Sequence, residues 1–200
     1  MPRGVAIPDL RQQLFSATER VIARDGPGGL TGRAVTREAG VATGGLYTHF
    51  ADMDDFLAAY AVDRAFQVSS AAAALPGRAG TGTVAANLSG AVAAVPPATL
   101  PALARLMAAR PDLAGRVHAI LGDRTAGLEA IEQAAAAYLE AEQRLGRIGA
   151  AADPEALALA LVGALHHLVL TGAAEPAVHA RIERVAAVLT AASTTAEQRP

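Results

Sequence analysis

Apolar side chains recur at helical spacing along most of this 200-residue chain. In the first such segment Leu10, Leu14, Ala17 and Val21 stand at positions i, i+4, i+7 and i+11, which places them on one face of a helix. Ala and Leu, two strong helix formers, dominate the sequence, and runs of β-branched residues are scarce. The sequence therefore predicts an all-α fold in which each helix buries one apolar face.

Gly, Pro and capping residues divide the chain into segments. Thr31, Asp52 and Asp153 are each placed to cap the start of a helix, and Gly26 and Gly40 are placed to end one. A long helix is expected to begin at Asp52 and to fade near "ALPGRAGTG". The other predicted helices cover about residues 9–24, 31–39, 42–49, 84–95, 100–109, 110–147, 153–170 and 176–192.

Composition limits the class of protein. The chain has no Cys, so disulfides and thiolate metal sites are excluded. No apolar run has the length and character of a membrane span, and the N-terminal "MPRGVAIPDLRQQ" lacks the apolar core of a secretory signal. The net charge of −2 carries no global signature of nucleic-acid binding. We expect a soluble, cytoplasmic protein.

Residues 31–50 contain a combination that a buried helix would not need. The stretch "AGVATGGLYTHF" holds three glycines, although each Gly inside a helix costs about 1 kcal/mol relative to Ala. Two short helices joined by a tight turn at Gly40, and held together by apolar residues such as Val35 and Leu46, match a helix-turn-helix. The second helix of such a motif enters a DNA major groove about 12 Å wide, where small residues allow close approach.

Hydroxyl, imidazole and guanidinium groups of this motif are the candidates for DNA contact. Side chains on its first helix are placed for phosphate, and those on its second helix for phosphates and base edges. The predicted DNA-binding residues are Thr31, Arg33, Ala42, Thr43, Gly44, Gly45, Tyr47, Thr48 and His49.

The segment "LTGRAVTREAGVATGGLYTHFADMDDFL" resembles the DNA-binding region of the tetracycline-repressor (TetR) family. The likeness lies in the capped second helix, the "AGV" turn, the "GxLYxHF" signature and the capped helix that follows, and it covers roughly residues 10–65. The resemblance implies a three-helix helix-turn-helix domain over residues 1–52. A long fourth helix would join it to a helical effector-binding and dimerisation domain over residues 53–200.

The same resemblance implies a ligand-responsive transcriptional repressor. Such a protein binds a palindromic double-stranded DNA operator as a homodimer and is released by a small, largely apolar effector. Its last two long helices pair across a two-fold axis. The apolar residues of these helices predict the dimer interface as Leu157, Leu161, Leu165, Leu168, Ile182, Val185 and Leu189.

Polar or bulky residues of the middle helices are the candidates for an effector pocket, although each is equally typical of plain packing. These residues are Phe66, Asn87, Met107, His118, Tyr138 and His166. Adjacent His166 and His167 point about 100° apart on a helix and do not readily chelate one ion together, although His118 could meet either of them across facing helices. We expect no metal site and no cofactor.

Three residues depart from the pattern of the family. Ala42 stands where a Ser cap is usual, Thr43 occupies a position that is often basic, and Met53 replaces a common phosphate-contacting Lys. Residues 1–65 hold 7 Arg against 8 acidic residues. We therefore expect a modest non-specific affinity for DNA and a weak dependence on salt.

Two other classes of function stay open from the sequence. One is a helical protein–protein interaction module whose helix-turn-helix no longer reads DNA, an alternative that Met53 and the acidic start of the fourth helix favour. An enzyme is the weaker alternative, because no carboxylate pair, nucleophile–base motif or cofactor loop stands out. A repressor and an activator are both compatible with this motif, because that distinction depends on where the operator lies relative to a promoter.

Overall fold

The computed structural model describes residues 7–122, 124–172 and 175–195. Regular secondary structure in these ranges is helical throughout, so the predicted all-α class is confirmed. The helices are α1 (Ile7–Asp25), α2 (Gly32–Ala39), α3 (Met53–Ala72), α4 (Val84–Ala93), α5 (Thr99–Ala109), α6 (Leu113–Leu121), α7 (Leu128–Arg144), α8 (Pro154–Leu170) and α9 (Glu175–Thr195). Within the same ranges, no helix combines the length and hydropathy needed to cross a membrane.

The chain divides into two compact units. The first consists of residues 1–63 and 101–123, and the second of residues 64–100 and 124–200. The first unit therefore contains the predicted helix-turn-helix together with most of α5 and with α6, which come from much later in the sequence. The domain boundary that the sequence suggested at residue 52 stays a prediction.

Aromatic side chains form the centre of the first unit. The Phe15 ring lies 5.7 Å from the rings of Phe56 and Tyr60, and the Phe50 ring meets Phe56 edge-on at 5.1 Å. All four side chains are buried, and tilted or edge-on pairs of this kind are favourable beyond the area that they bury. This core holds the chain on both sides of residues 31–50, because Phe15 precedes that stretch, Phe50 ends it, and Phe56 and Tyr60 follow it.

The second unit is a packed set of helices. α4 lies against α9, α7 lies against α8, and α8 also contacts α9. Leu161, Leu165 and Leu168 of α8 and Ile182 of α9 are almost completely buried within this single chain. The apolar stripe of α8 therefore forms core in the protomer.

The predicted helix caps are confirmed. The side chains of Thr31, Asp52 and Asp153 accept hydrogen bonds from backbone N–H groups two or three residues later, at 2.7–3.1 Å. Gly40 adopts φ +69°, a left-handed conformation that Gly tolerates best, and ends α2 as predicted.

The single helix predicted over residues 110–147 is wrong. The structure has two helices there: α6 ends at Leu121 and α7 begins at Leu128. Gly122 and Gly127 have φ values of +59° and +69°, which a continuing right-handed helix excludes. The backbone N–H of Gly127 instead donates hydrogen bonds to the Ala65 carbonyl and the Ser69 hydroxyl, both at 3.2 Å. These bonds replace the intrahelical bond that Gly127 would otherwise make.

The regular third helix predicted over residues 42–49 is also wrong in detail. A 3-10 turn at Thr43–Gly45 is followed by irregular turns up to residue 49. Two adjacent glycines, Gly44 and Gly45, together sacrifice about 2 kcal/mol of helix propensity relative to Ala, in a segment of only two turns. A short segment with this composition does not sustain a continuous α-helix on its own.

Candidate nucleic-acid interface

The first helix of the motif, α2, is fixed at both ends. The Thr31 hydroxyl accepts a hydrogen bond from the Ala34 N–H at 3.1 Å, and the buried Thr36 hydroxyl donates to the Gly32 carbonyl at 2.8 Å. After Gly40, the Val41 N–H returns to the Thr36 carbonyl at 3.0 Å. These bonds produce the tight turn of a helix-turn-helix and constrain the backbone between α2 and the following segment.

Residues 43–49, called here the recognition segment, are held by two apolar anchors. Leu46 is fully buried and Phe50, which directly follows the segment, is 7% exposed. The Thr48 N–H donates to the Gly44 carbonyl at 3.2 Å, and the Phe50 N–H donates to the Leu46 carbonyl at 3.1 Å. The segment therefore keeps a helical path between its anchors, although it is not a regular α-helix.

The side chains predicted to contact DNA lie on the outside of this motif. Tyr47 is 53% exposed, and its ring lies against Gly32 at the start of α2. Gly45 is half-buried. A Cβ added at Gly45 would lie 3.8 Å from the Val41 side chain, which is an ordinary van der Waals distance. The other predicted residues are exposed: Thr31, Arg33, Ala42, Thr43, Gly44, Thr48 and His49.

The exposed positive charge on α2 comes from two arginines. Arg33 and Arg37 are both exposed and stand one helical turn apart, and within the described residues neither forms an ion pair. Arg37 was not among the predicted contact residues, although its i, i+4 spacing from Arg33 places it on the same helix face. The two guanidinium groups form the main free cationic pair of the motif in this part of the chain.

Two arginines of α1 near the motif are already paired. Arg20 and Arg24 of α1 each donate to a different carboxylate oxygen of Glu38, both at 2.7 Å. Hydrogen bonds from Arg24 and then Arg20 hold the pKa of the Glu38 carboxyl below its ordinary value. Arg24 also binds Asp25 at 2.9 Å. These ion pairs tie α1 to α2 and reduce the charge available for phosphate.

The predicted effector residues are distributed over both compact units. Met107 and His118 belong to the first unit, and His118 is exposed. Phe66, which packs under the Arg124 guanidinium at 5.3 Å, belongs to the second unit, as does the exposed His166. Their assignment to an effector pocket stays a prediction.

Asn87 and Tyr138 are in direct contact in the second unit. The Asn87 amide donates to the Tyr138 hydroxyl at 3.0 Å and to the Thr81 carbonyl at 2.8 Å. Tyr138 is fully buried, and burial raises the pKa of its hydroxyl to about 12, assisted by the Glu142 carboxylate and opposed by the Asn87 amide. In this structure the two residues fasten the loop before α4 to α7.

Four of the seven predicted dimer residues, Leu161, Leu165, Leu168 and Ile182, are covered by their own chain. Leu157, Leu161 and Leu189 line a small apolar cavity of about 10 Å³ between α8, α9 and neighbouring helices. Leu165, Leu168 and Ile182 are at most 3% exposed, and Val185 is half-buried. The side chains of α8 and α9 that face solvent are different ones, and they include Leu159 and Val188, which are 58% and 69% exposed.

No group of three or more metal-ligating side chains occurs within the described ranges. His166 and His167 are both exposed on α8 and belong to no such group in these ranges.

Comparisons with known proteins agree with the geometry of the motif. Residues 14–60 match the model of a family described as bacterial regulatory proteins, tetR family. The chain is 42% identical over 53 residues to an uncharacterised HTH-type transcriptional regulator from Haemophilus influenzae. That match covers 26% of this chain and 28% of the relative, so the chain spans well under a third of that curated protein.

Solved structures resemble the chain over almost its full length. A putative TetR-family transcriptional regulator from Mesorhizobium loti superposes with a TM-score of 0.66 at 19% identity, over 96% of this chain and 98% of the other. The fatty acid degradation regulator FadR from Bacillus halodurans superposes with a TM-score of 0.64 at 17% identity, over 90% and 94%. At these identities the likeness concerns the fold alone, which is that of an N-terminal helix-turn-helix followed by a helical C-terminal part.

Proposed function

The chain belongs to the tetR family of bacterial regulatory proteins, and from this membership we propose that it binds operator DNA and regulates transcription in response to a small molecule. The observation that carries the proposal is the geometry of residues 31–50. Leu46 and Phe50 are buried as anchors, whereas Thr43, Tyr47 and Thr48 between or beside them are exposed.

DNA binding would use two neighbouring sets of groups. Arg33 and Arg37 on α2, together with the Thr31 hydroxyl, are available to phosphates, which fix the position of a protein on the duplex. Thr43, Tyr47 and the exposed backbone of Gly44 would reach base edges in the major groove. The Thr43 hydroxyl and the side-chain-free backbone of Gly44 allow the segment to approach DNA closely, because neither needs the space of a long side chain.

We place the homodimer interface on the exposed faces of α8 and α9. Leu159, Gly163, His166 and Leu170 recur along α8 on the side opposite to the buried Leu residues, and Val188 is exposed on α9. Leu159 and Val188 are large apolar side chains more than half exposed, and a row of such residues on adjacent helices is typical of an interaction surface. This interface uses the helices expected from the sequence but the opposite face of α8.

A dimer would set the distance between two recognition segments. Each would occupy one half-site of a palindromic operator, with half-sites spaced by about one helical turn of DNA, ~34–36 Å. A small apolar effector that binds the helical C-terminal part would change this spacing through α3, and only to the extent that its affinity differs between the two arrangements. We propose release from DNA as the response.

A gel shift at low salt on the DNA flanking its own gene tests this function. We expect sequence-selective binding by the full chain, reduced about tenfold or more by Thr43→Ala with Tyr47→Ala, since a good base contact contributes about 1–3 kcal/mol. Leu145→Ala is the control, because Leu145 has a similar exposure of 57% but lies in the second unit. A chain that forms its dimer but binds no DNA at low salt would favour a protein–protein interaction module instead.

A further inference from the structure

The core under the recognition segment is completed by residues far from the motif. Leu106 of α5 and Leu113 at the start of α6 are fully buried in the same apolar cluster as Phe15, Phe50 and Phe56. The match to the family model ends at residue 60, so these two side chains enter the motif's core from outside the matched segment. The connection between α5 and α6 is consequently part of the unit that carries the recognition segment.

Arg110 in this connection binds the first turn of α3. Its Nη2 donates to the Asp54 carboxylate at 2.8 Å. The same guanidinium is held by Asp112, which accepts from Nε at 3.0 Å and from Nη2 at 2.6 Å. A forked contact of this kind restricts the orientation of the guanidinium plane, and Lys cannot reproduce it. Asp112 thus orients the Arg110 guanidinium towards Asp54.

The first turn of α3 is in turn joined to the end of the recognition segment. The Asp52 carboxylate accepts from the Asp55 N–H at 2.7 Å, and the Asp55 carboxylate accepts from the Ala51 N–H at 3.0 Å. This reciprocal pair resembles a capping box, except that the returning bond comes from the residue before the N-cap, and it fixes the path of the chain into the helix. Ala51 follows the anchor Phe50 directly, so a displacement of the α3 start moves the end of the recognition segment as well.

We propose that Arg110 is a positioning residue for DNA recognition, which holds the start of α3 through Asp54 and thereby holds the recognition segment in its reading position. The proposal rests on the DNA-binding function proposed above. It adds a second role for the α5–α6 connection, because any event that moves this connection acts on the recognition segment through Arg110.

The negative charge of Asp54 allows the positioning role to be distinguished from the general attraction between the protein and DNA phosphates, because the two effects predict opposite changes in affinity. Asp54→Asn removes a negative charge close to the DNA-facing surface, and charge alone would therefore strengthen the attraction to phosphate. A positioning role has the opposite consequence, because the variant releases Arg110. The partly exposed pair contributes little to global stability, so the melting temperature should change by only a few degrees.

The experiment measures equilibrium binding of the full chain to the duplex that the wild type retains most tightly from a random pool. We expect Asp54→Asn and Arg110→Gln each to weaken this binding about tenfold, and the double variant to weaken it no further, since both remove one interaction. Arg110→Lys should also weaken it, because it keeps the charge but loses the fork. Binding to an unrelated duplex should not weaken with Asp54→Asn.

Arg105→Gln is the matched control. Arg105 lies on α5 and forms no ion pair within the described residues, so its replacement changes the net charge by the same amount as the replacement of Arg110. Asp54→Asn binding that equals or exceeds the wild type, or additive effects in the double variant, would overturn this proposal while leaving the proposed function intact. A wild-type chain that selects no duplex would overturn both.

Discussion

The hydroxyl oxygen of Tyr47 lies directly over Gly32, the first residue of α2. A Cβ added to Gly32 would stand 2.6 Å from the Tyr47 oxygen and 3.2 Å from the adjacent ring carbon. Gly32 has no positive φ that would require Gly for backbone reasons. Its lack of a side chain is therefore explained by the ring that occupies the space, and the orientation of Tyr47 depends on α2.

Gly32→Ala should separate DNA binding from stability. The added methyl group must displace the Tyr47 ring, and we expect operator affinity to fall about tenfold, which is what one good base contact contributes. The melting temperature should stay the same or rise slightly, because Ala is a better helix residue than Gly. Gly28→Ala is the control, since a Cβ at Gly28 meets no atom within 4 Å. Unchanged operator binding by Gly32→Ala would show that Tyr47 does not need its present orientation.

The salt dependence of DNA binding should be weak for a protein of this size. Arg20 and Arg24 form ion pairs with Glu38, and Arg110 forms ion pairs with Asp54 and Asp112. Their charges are therefore less available to phosphates. We expect the slope of log K against log salt concentration to be clearly shallower than about −8, measured by fluorescence anisotropy. Arg37→Gln should reduce the magnitude of this slope by about 1, because Arg37 is expected to neutralise one phosphate. A slope of about −8 or steeper contradicts this electrostatic account.

Two Leu→Glu substitutions on α8 should have different effects. Leu159 is 58% exposed, so Leu159→Glu should give a folded monomer, as judged by circular dichroism and analytical ultracentrifugation. Leu165 is 1% exposed, and Leu165→Glu would bury a carboxylate in the protomer core, which costs several kcal/mol and should unfold the chain. A stable dimer of Leu159→Glu would place the interface elsewhere.

The buried hydroxyl of Tyr138 should make stability sensitive to alkaline pH. Its pKa is raised to about 12 in the folded protein, against an ordinary value of 10.0. As the pH rises, the unfolded chain therefore releases this proton before the folded chain does. The contribution of Tyr138 to the stability of the fold is fully present below pH 10.0 and is lost as the pH rises towards about 12. Tyrosinate absorbance of the folded protein should show a late step that Tyr138→Phe removes. A late step that persists in Tyr138→Phe would assign it to another residue.

Local signals in the sequence predict the helix boundaries well. Capping by Thr31, Asp52 and Asp153 depends only on a hydroxyl or carboxylate next to a few residues of its own chain, and all three caps occur as expected. The same is true of Gly40, whose left-handed conformation follows from the short turn between two helical segments. Such features need no knowledge of distant contacts.

Features that depend on tertiary packing were not accessible from the sequence. The apolar stripe of α8 identifies a buried face, but periodicity does not tell whether the same chain or a second copy covers it. The break between α6 and α7 depends on hydrogen bonds from Gly127 to α3, which no local pattern reveals. Likewise, Arg110 and Asp54 are 56 residues apart, so their ion pair becomes visible only in the folded chain.

Residues 43–49 can be tested as the DNA-reading segment by selecting duplexes from a random pool with the 200-residue chain. We expect enrichment of one palindromic sequence, with half-sites about one helical turn apart, and the disappearance of this enrichment in the variant with Thr43→Ala and Tyr47→Ala. Recovery of duplexes without any common sequence, or the same enriched palindrome from that variant, would contradict the assignment of residues 43–49 as the segment that reads DNA.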